Sequence, residues 1–434
     1  MSRAPEEVIE LAKQRSGRDL VKMARRIERS GGCERPVRLR ATGPGSPSRD
    51  EPDGVLLVSC KTRRESRCKP CSSLYRGDAH HLVRTGMEGG KGVPESVREH
   101  PAVFLTLTLG GFGAVHRASP GPCHAVRPGR CAHGRATYCL ERHAEGDEVV
   151  GTPICPGCYD YRRAVVANSA VTELWRRLSV YARRHLAYEM GTTEKELKGK
   201  VRLSYVKAAE LQRRGAVHLH AVVRADGAGD ELSPPGAPVT AAVLATALGA
   251  AARAVSCKRE VGGVVYELSF GEQLRAEPLE PQRARAYASY ISKYVLKDSS
   301  GSGALDHRLR EEELESLDLP AHLAKIVATA FELGADPEQR RFRRSAHALG
   351  FAGHVITHSR SWSTTFTCLR AERLAWRRAA EKEQETTGPA LTWRYEGTGY
   401  RLEIDRLLAA TFAEERRLAK EEVRLELRTT GALA

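Results

Sequence analysis

The chain is 434 residues long, more than one ordinary hydrophobic core organises, so about two or three domains are expected. Lys and Arg number 69 against 54 Asp and Glu, a formal charge of +15 that suits a polyanionic partner, because phosphates neutralised by Lys and Arg release counterions. A membrane span is excluded: the most lipid-like window, 239–255, is mostly alanine and carries Arg253.

Residues 1–32 mix charges on a helical period and lack an apolar signal core, so an amino-terminal helical segment and a cytoplasmic location are expected. In that compartment 11 cysteines do not read as a disulfide framework, and their spacing points to metal. The region 33–100 opens with Cys33 in SGGCERP and continues with CKTRRESRCKPCSSLYRGD, which supplies Cys60, Cys68 and Cys71. A C-x-x-C with Pro between its thiols is the tight turn that lets two thiolates reach one ion, so these cysteines are expected to hold Zn²⁺.

The run FLTLTL at 104–109 reads as a strand within 103–109. The stretch 120–160 is short of aliphatic residues and rich in Pro, Gly and charge; it cannot build a core, and a second zinc is expected to organise it. Cys155 and Cys158 of GTPICPGCYDY form its C-x-x-C, with Cys131 and Cys139 as companions from a pool that also holds Cys123, His124, His133 and His143. Neither C-x-x-C sits at a strand-to-helix junction, which disfavours a thioredoxin-like redox role.

A helix is expected over 164–189, then strands over 201–209 and 217–225. The stretch RRGAVHLHAVVR, 213–224, places His218 and His220 on one face of the second strand. Two such imidazoles either hold a metal or are hydrogen-bonded core histidines. Glu210 precedes an expected turn at 213–215, and a hairpin there would carry it alongside them.

A helix over 239–255 and a strand over 264–269 lead to QRARAYASYISKYVLKDSS, helical over 282–297. Tyr290 and Tyr294 are four apart on one face, and Lys293 and Lys297 repeat the spacing beside them. Such a stripe is either core packing or a pair of phenols able to attack a phosphodiester next to a cation. DSSGSGALD then reads as a linker, followed by helices over 311–333 and 400–427. Between them QRRFRRSAHALG carries Arg340, Arg341, Arg343 and Arg344, either a solvated face or a contact for duplex DNA.

The order FLTLTL, HLH, YISKYVLKD resembles the three motifs of the HUH endonucleases that initiate rolling-circle replication. GGCERPVRLR, RCKPCSSLYRGDAHHL, GGKGVPESVREHP, TPICPGCYDY and SWSTTF extend the likeness to replication initiators of actinobacterial rolling-circle plasmids and integrative conjugative elements, over roughly residues 20–375. The resemblance implies an α+β fold: an HUH-like antiparallel sheet flanked by helices, with inserted zinc-binding elements and a helical carboxy-terminal region. The domains would be 1–32 helical, 33–100 zinc-binding, 101–300 nuclease with the insertion 120–160, and 301–434 helical.

It further implies that His218, His220 and Glu210 hold Mg²⁺ or Mn²⁺. Tyr294 would be the nucleophile that leaves a 5′-phosphotyrosine, Tyr290 the agent of a second transfer, and Lys293 or Lys297 the groups that offset developing charge; both tyrosines satisfy apolar-x-x-Tyr-apolar-x-Lys, so the motif leaves their order open. The partners would be origin DNA and, as the chain shows no Walker P-loop, a host helicase and polymerase. The last helix would pack on the nuclease, on a second copy of the chain or on that helicase; the pattern leaves all three open. Rival readings are an HUH relaxase or transposase, a zinc-dependent DNA-binding regulator without catalysis, and a zinc hydrolase. A relaxase usually shows three histidines and an amino-terminal tyrosine, whereas here the tyrosines follow a single HLH.

Overall fold

A computed structural model describes residues 10–42, 54–125, 129–229, 231–294, 305, 307–381 and 392–429. In chain order the helices and strands are α1 (Gly17–Arg29), β1 (Val37–Thr42), β2 (Leu56–Val58), α2 (Lys69–Glu88), β3 (Ala102–Leu109), α3 (Tyr161–Glu189), α4 (Glu194–Lys198), β4 (Arg202–Leu211), β5 (Val217–Asp226), α5 (Ala241–Ala254), β6 (Ser256–Val261), β7 (Val264–Pro278), α6 (Ala284–Tyr294), α7 (Ala321–Leu333), α8 (Arg341–Arg344), β8 (Ile356–His358), α9 (Phe366–Glu381), β9 (Thr392–Thr398) and α10 (Glu403–Thr429). They form two compact units: a terminal unit of residues 1–77 with 371–434, and a central unit of residues 78–370.

In the terminal unit, α1 starts where the Ser16 side chain accepts a hydrogen bond from the Asp19 amide, and Met23 and Ile27, four apart, are buried on one face. That face packs with Tyr400 and Ala409, the latter on α10. A buried ion pair of 2.6 Å between Arg15 and Asp405 ties the two ends of the chain together. The sheet of this unit runs β2-β1-β9. The sequence reading has 301–434 as one helical region; the structure divides it. Residues up to 370 belong with the central sheet, and 392–398 form a strand paired with β1. The pairing joins residues about 350 positions apart, which a local periodicity does not reveal.

The central unit holds a six-stranded sheet in the order β6-β7-β3-β5-β4-β8, every pairing antiparallel. Helices α3, α5 and α7 supply much of its core: Val171, Leu174, Leu178, Leu244, Leu248, Ile326 and Val327 are all buried in one cluster with Leu105, Leu107, Leu219 and Ala221 of the sheet. β7 runs to Pro278, well past the expected end at 269, because its polar second half pairs with β3. The helix expected over 311–333 is broken. Glu311–Ser316 is a 3₁₀ turn, and α7 begins only after Pro320, whose ring cannot sit inside a helix. Likewise α6 starts at Ala284, after a 3₁₀ turn at Pro281–Arg283, and residues 295–297 lie outside the described residues.

The motif SWSTTF lies in this unit. Trp362 is fully buried, and its indole donates to the Leu82 carbonyl of α2 at 3.1 Å. Gly86, one turn on, lies so close that a Cβ there would stand 2.2 Å from the Trp362 ring. Gly86→Ala is therefore expected to lower stability by about 1–3 kcal/mol through overpacking. Gly77→Ala on the same helix meets nothing within 4 Å and should stabilise slightly. Urea denaturation of the two variants checks both signs.

Candidate functional site

β4 and β5 form the hairpin expected at 213–215. The Gln212 amide donates to the Ala216 carbonyl at 3.0 Å, and Gly215 takes a positive φ of 81° in the turn. A Cβ at Gly215 would also meet Ile326 at 2.2 Å, so only glycine fits. Asn168, buried on α3, locks the turn from behind: its Nδ2 donates to Gly215 and Leu349 carbonyls at 2.8 and 2.7 Å, and its Oδ1 accepts from the Val217 amide at 2.9 Å.

This register sets Glu210 opposite His218 and Ala208 opposite His220. Residues directly opposite in an antiparallel pair share a face, so Glu210, His218 and His220 all project to one side. The two imidazole rings are 4.5 Å apart between centroids, and Glu210 Oε2 lies 3.5 Å from His220 Nε2. On the neighbouring strand Thr108 stands opposite His218, with its Oγ1 2.7 Å from His218 Nδ1. That contact orients the ring and leaves Nε2 as its outward nitrogen, the usual arrangement around a metal-binding histidine. Burial, then the neighbouring His220, push the His218 pKa down to about 4, so the ring is neutral at physiological pH and its lone pair is available.

α6 lies over the same face. Phe104 of β3 contacts Tyr287 at 4.9 Å and Tyr290 at 5.8 Å between centroids, and the Tyr290 ring meets His220 edge-on at 5.0 Å. Ala288 and Ile291 are buried beneath the helix, whereas Tyr290 remains 41 % exposed. Lys293 is exposed on the last turn. Tyr294 ends the helix; its side chain, and Lys297 entirely, lie outside the described residues. Beside Thr108 opens a cleft of about 420 Å³ whose wall includes Gly110, Gly111, Gly271 and Arg214.

Among the described residues, three sets of four donors lie with all ligand atoms within 4.8 Å of one another. They are Cys33, Cys60, Cys68 and Cys71; His116, Cys123, Cys139 and His143; and Cys131, His133, Cys155 and Cys158. Each could hold a metal ion. His218, His220 and Glu210 share a face without forming a set that tight.

A family model described as replication initiator protein, pSAM2 (RepSA) matches residues 19–414. A replication initiator protein of Streptomyces ambofaciens is 36 % identical over 411 residues, covering 88 % of this chain and 86 % of that protein. The chain belongs to the RepSA family of replication initiator proteins. No solved structure matches it.

In this initiator the first four predicted cysteines come together as one set, in the terminal unit. The second predicted group does not stay whole: Cys131, Cys155 and Cys158 are together, while Cys139 belongs to the other set. His124 brings its Nδ1 to 3.1 Å from Cys123 Sγ but stands outside that set of four. Arg340, Arg343 and Arg344 of the initiator are exposed around the buried Phe342, with Arg341 half-buried. Arg343 is already paired with Glu311 at 2.5 Å. The reading by sequence missed Thr108, Asn168 and His116. Thr108 and Asn168 carry no local signal, since each acts through a partner on another element. His116 stands alone before the cysteine-rich stretch. No helix among the described residues is long and apolar enough to cross a membrane.

Proposed function

We propose that this initiator nicks one strand of its origin DNA and transfers the strand through a 5′-phosphotyrosine, on a central unit of HUH type. The observation that carries the reading is the face shared by His218, His220 and Glu210, with Tyr290 of α6 set against His220. Two imidazoles and a carboxylate suit a divalent cation, Mg²⁺ or Mn²⁺, which when bound polarises the scissile phosphate. Thr108 holds His218 in the ligating orientation, and the hairpin turn locked by Asn168 holds Glu210 against His220.

Tyr294, one turn beyond Tyr290 on α6, is the proposed nucleophile. Its oxygen bonds to phosphorus as the bond to the 3′ oxygen breaks, leaving a 3′-hydroxyl for a host polymerase. Because the phosphoester energy is kept on the protein, Tyr290 can drive the resealing transfer without ATP. Lys293 and Lys297 would offset charge on the phosphate. The unpaired strand would run through the cleft beside Thr108, where three glycines admit a backbone and Arg214 offers charge. Duplex recognition would fall to Arg340, Arg341, Arg343 and Arg344 and to the cysteine clusters, here read as structural Zn²⁺ sites. Unwinding would fall to a host helicase.

The test is incubation with Mn²⁺ or Mg²⁺ and a labelled supercoiled origin plasmid, followed by a denaturing gel. Wild type should trap label on the protein, and Tyr294→Phe should abolish the initial adduct, whereas Tyr290→Phe should form the adduct and fail to release it. Tight origin binding with neither nick nor adduct under either metal would replace this reading with a zinc-dependent DNA-binding regulator.

A further inference from the structure

Between residues 113 and 150 of the described chain Cys123 is the single fully buried residue, and regular secondary structure is confined to isolated bridges such as His124 with Cys139 and Arg130 with Ala136. Such a segment has no apolar core to hold it together. Two of the three donor sets draw on this stretch, and the order of their residues along the chain is informative. His116 and Cys123 come first, then Cys131 and His133, then Cys139 and His143, then Cys155 and Cys158. The first and third pairs make one set, and the second and fourth make the other.

The separations fit metal geometry. A tetrahedral zinc, with Zn–S of about 2.3 Å and Zn–N of about 2.0 Å, spaces two thiolates by about 3.8 Å and two imidazole nitrogens by about 3.3 Å. Cys131 and Cys155 sulfurs are 3.6 Å apart, and His133 Nδ1 is 3.3 Å from Cys158 Sγ. In the other set His116 Nδ1 and His143 Nε2 are 3.2 Å apart, Cys139 Sγ is 3.4 Å from His143 Nε2, and Cys123 Sγ is 3.8 Å from His116 Nδ1. A disulfide would need about 2.05 Å. Gly157, inside C-P-G-C, makes room for the second set: a Cβ there would stand 2.6 Å from the His133 ring.

We propose that residues 116–158 form a cross-braced module with two interleaved zinc sites, one Cys₂His₂ and one Cys₃His, and that the module braces the turn carrying the histidine hairpin. Interleaving means that each ion closes a loop containing part of the other's ligand set, so the two ions hold one fold in common. The bracing contacts are direct. Arg213 in the turn donates to the Asp147 carbonyl at 3.0 Å, and Gly151 packs so tightly on it that a Cβ would stand 2.7 Å from Arg213 Cβ. Tyr159, next to the last ligand, donates to the Arg214 carbonyl at 2.5 Å.

The test loads the full-length protein with ¹¹³Cd in place of zinc and records its cadmium NMR spectrum. Three resonances are expected, for S₄, S₃N and S₂N₂ ligation, the first from Cys33, Cys60, Cys68 and Cys71. Cys131→Ser should remove or shift the S₃N signal and Cys139→Ser the S₂N₂ signal. A sequential pairing predicts the reverse, and that result, or a wild-type chain lacking either the S₃N or the S₂N₂ resonance, would overturn the proposal. If a serine variant fails to fold, couplings from cadmium to cysteine β-protons in the wild type read the same pairing: Cys131 with Cys155 and Cys158, and Cys123 with Cys139. Amide exchange at 212–217 should quicken when the metals are chelated, and unchanged exchange would remove the bracing role.

Discussion

If the proposed mechanism holds, His220→Ala is expected to slow origin nicking by about 100- to 1,000-fold, because losing the proposed metal ligand would remove several kcal/mol of charge stabilisation and each 1.4 kcal/mol is tenfold. His220 is 2 % exposed, between Phe104 and Tyr290, so the variant also opens a small cavity; its fold is checked by circular dichroism and urea denaturation. Glu210→Gln gives the same test with less disturbance, since its side chain is 16 % exposed and faces His220 at 3.5 Å. It should raise the Mn²⁺ concentration needed for half-maximal nicking by about 10- to 100-fold, the range seen when groups around a metal site are lost. Single-turnover nicking across a Mn²⁺ titration measures both. If His220→Ala and Glu210→Gln nick like the wild type, the histidine face is packing and the catalytic assignment fails.

The second large effect lies at the far end of the same strand face. Arg224 and Asp226 are both fully buried, and Arg224 Nε and Nη2 donate to the two carboxylate oxygens of Asp226 at 2.6 and 3.0 Å. His100 Nδ1 at 2.7 Å and the Ser204 hydroxyl complete the carboxylate's partners. The guanidinium also reaches the Gly86, Ser361 and Trp362 carbonyls and lies 5.0 Å from the centre of the Trp362 ring. Arg224→Met strands a buried carboxylate and is expected to destabilise the central unit by about 3–5 kcal/mol. The double variant Arg224→Met with Asp226→Leu removes both charges and should recover much of that loss. Urea denaturation of the single and double variants decides it: a double variant no more stable than Arg224→Met would mean that the carboxylate is satisfied without the arginine.

Several parts of this site are legible in local spacing because the physics that makes them is local. Alternation puts His218 and His220 on one face whatever the rest of the chain does, and the Arg-Arg-Gly turn between two apolar runs brings Glu210 back beside them. The helical period of 284–294 places Tyr290 one turn after Tyr287, and both rings reach Phe104. The C-x-x-C turn pre-pairs Cys68 with Cys71 and Cys155 with Cys158.

The sequence by itself determined those elements whose pattern is local: a hairpin with two histidines on one face, a tyrosine helix and cysteine pairs, each set by neighbours a few residues apart. Only the tertiary structure decided which pairs meet. Cys139 parts from Cys131 and joins His116 where the loop folds across itself, and β9 pairs with β1 across about 350 positions in the unit that also holds the buried Arg15–Asp405 pair. Thr108 and Asn168 gain their roles from a strand and a turn more than 40 positions away. Contacts of that range depend on how loops close and faces pack, which a periodicity within one segment does not encode.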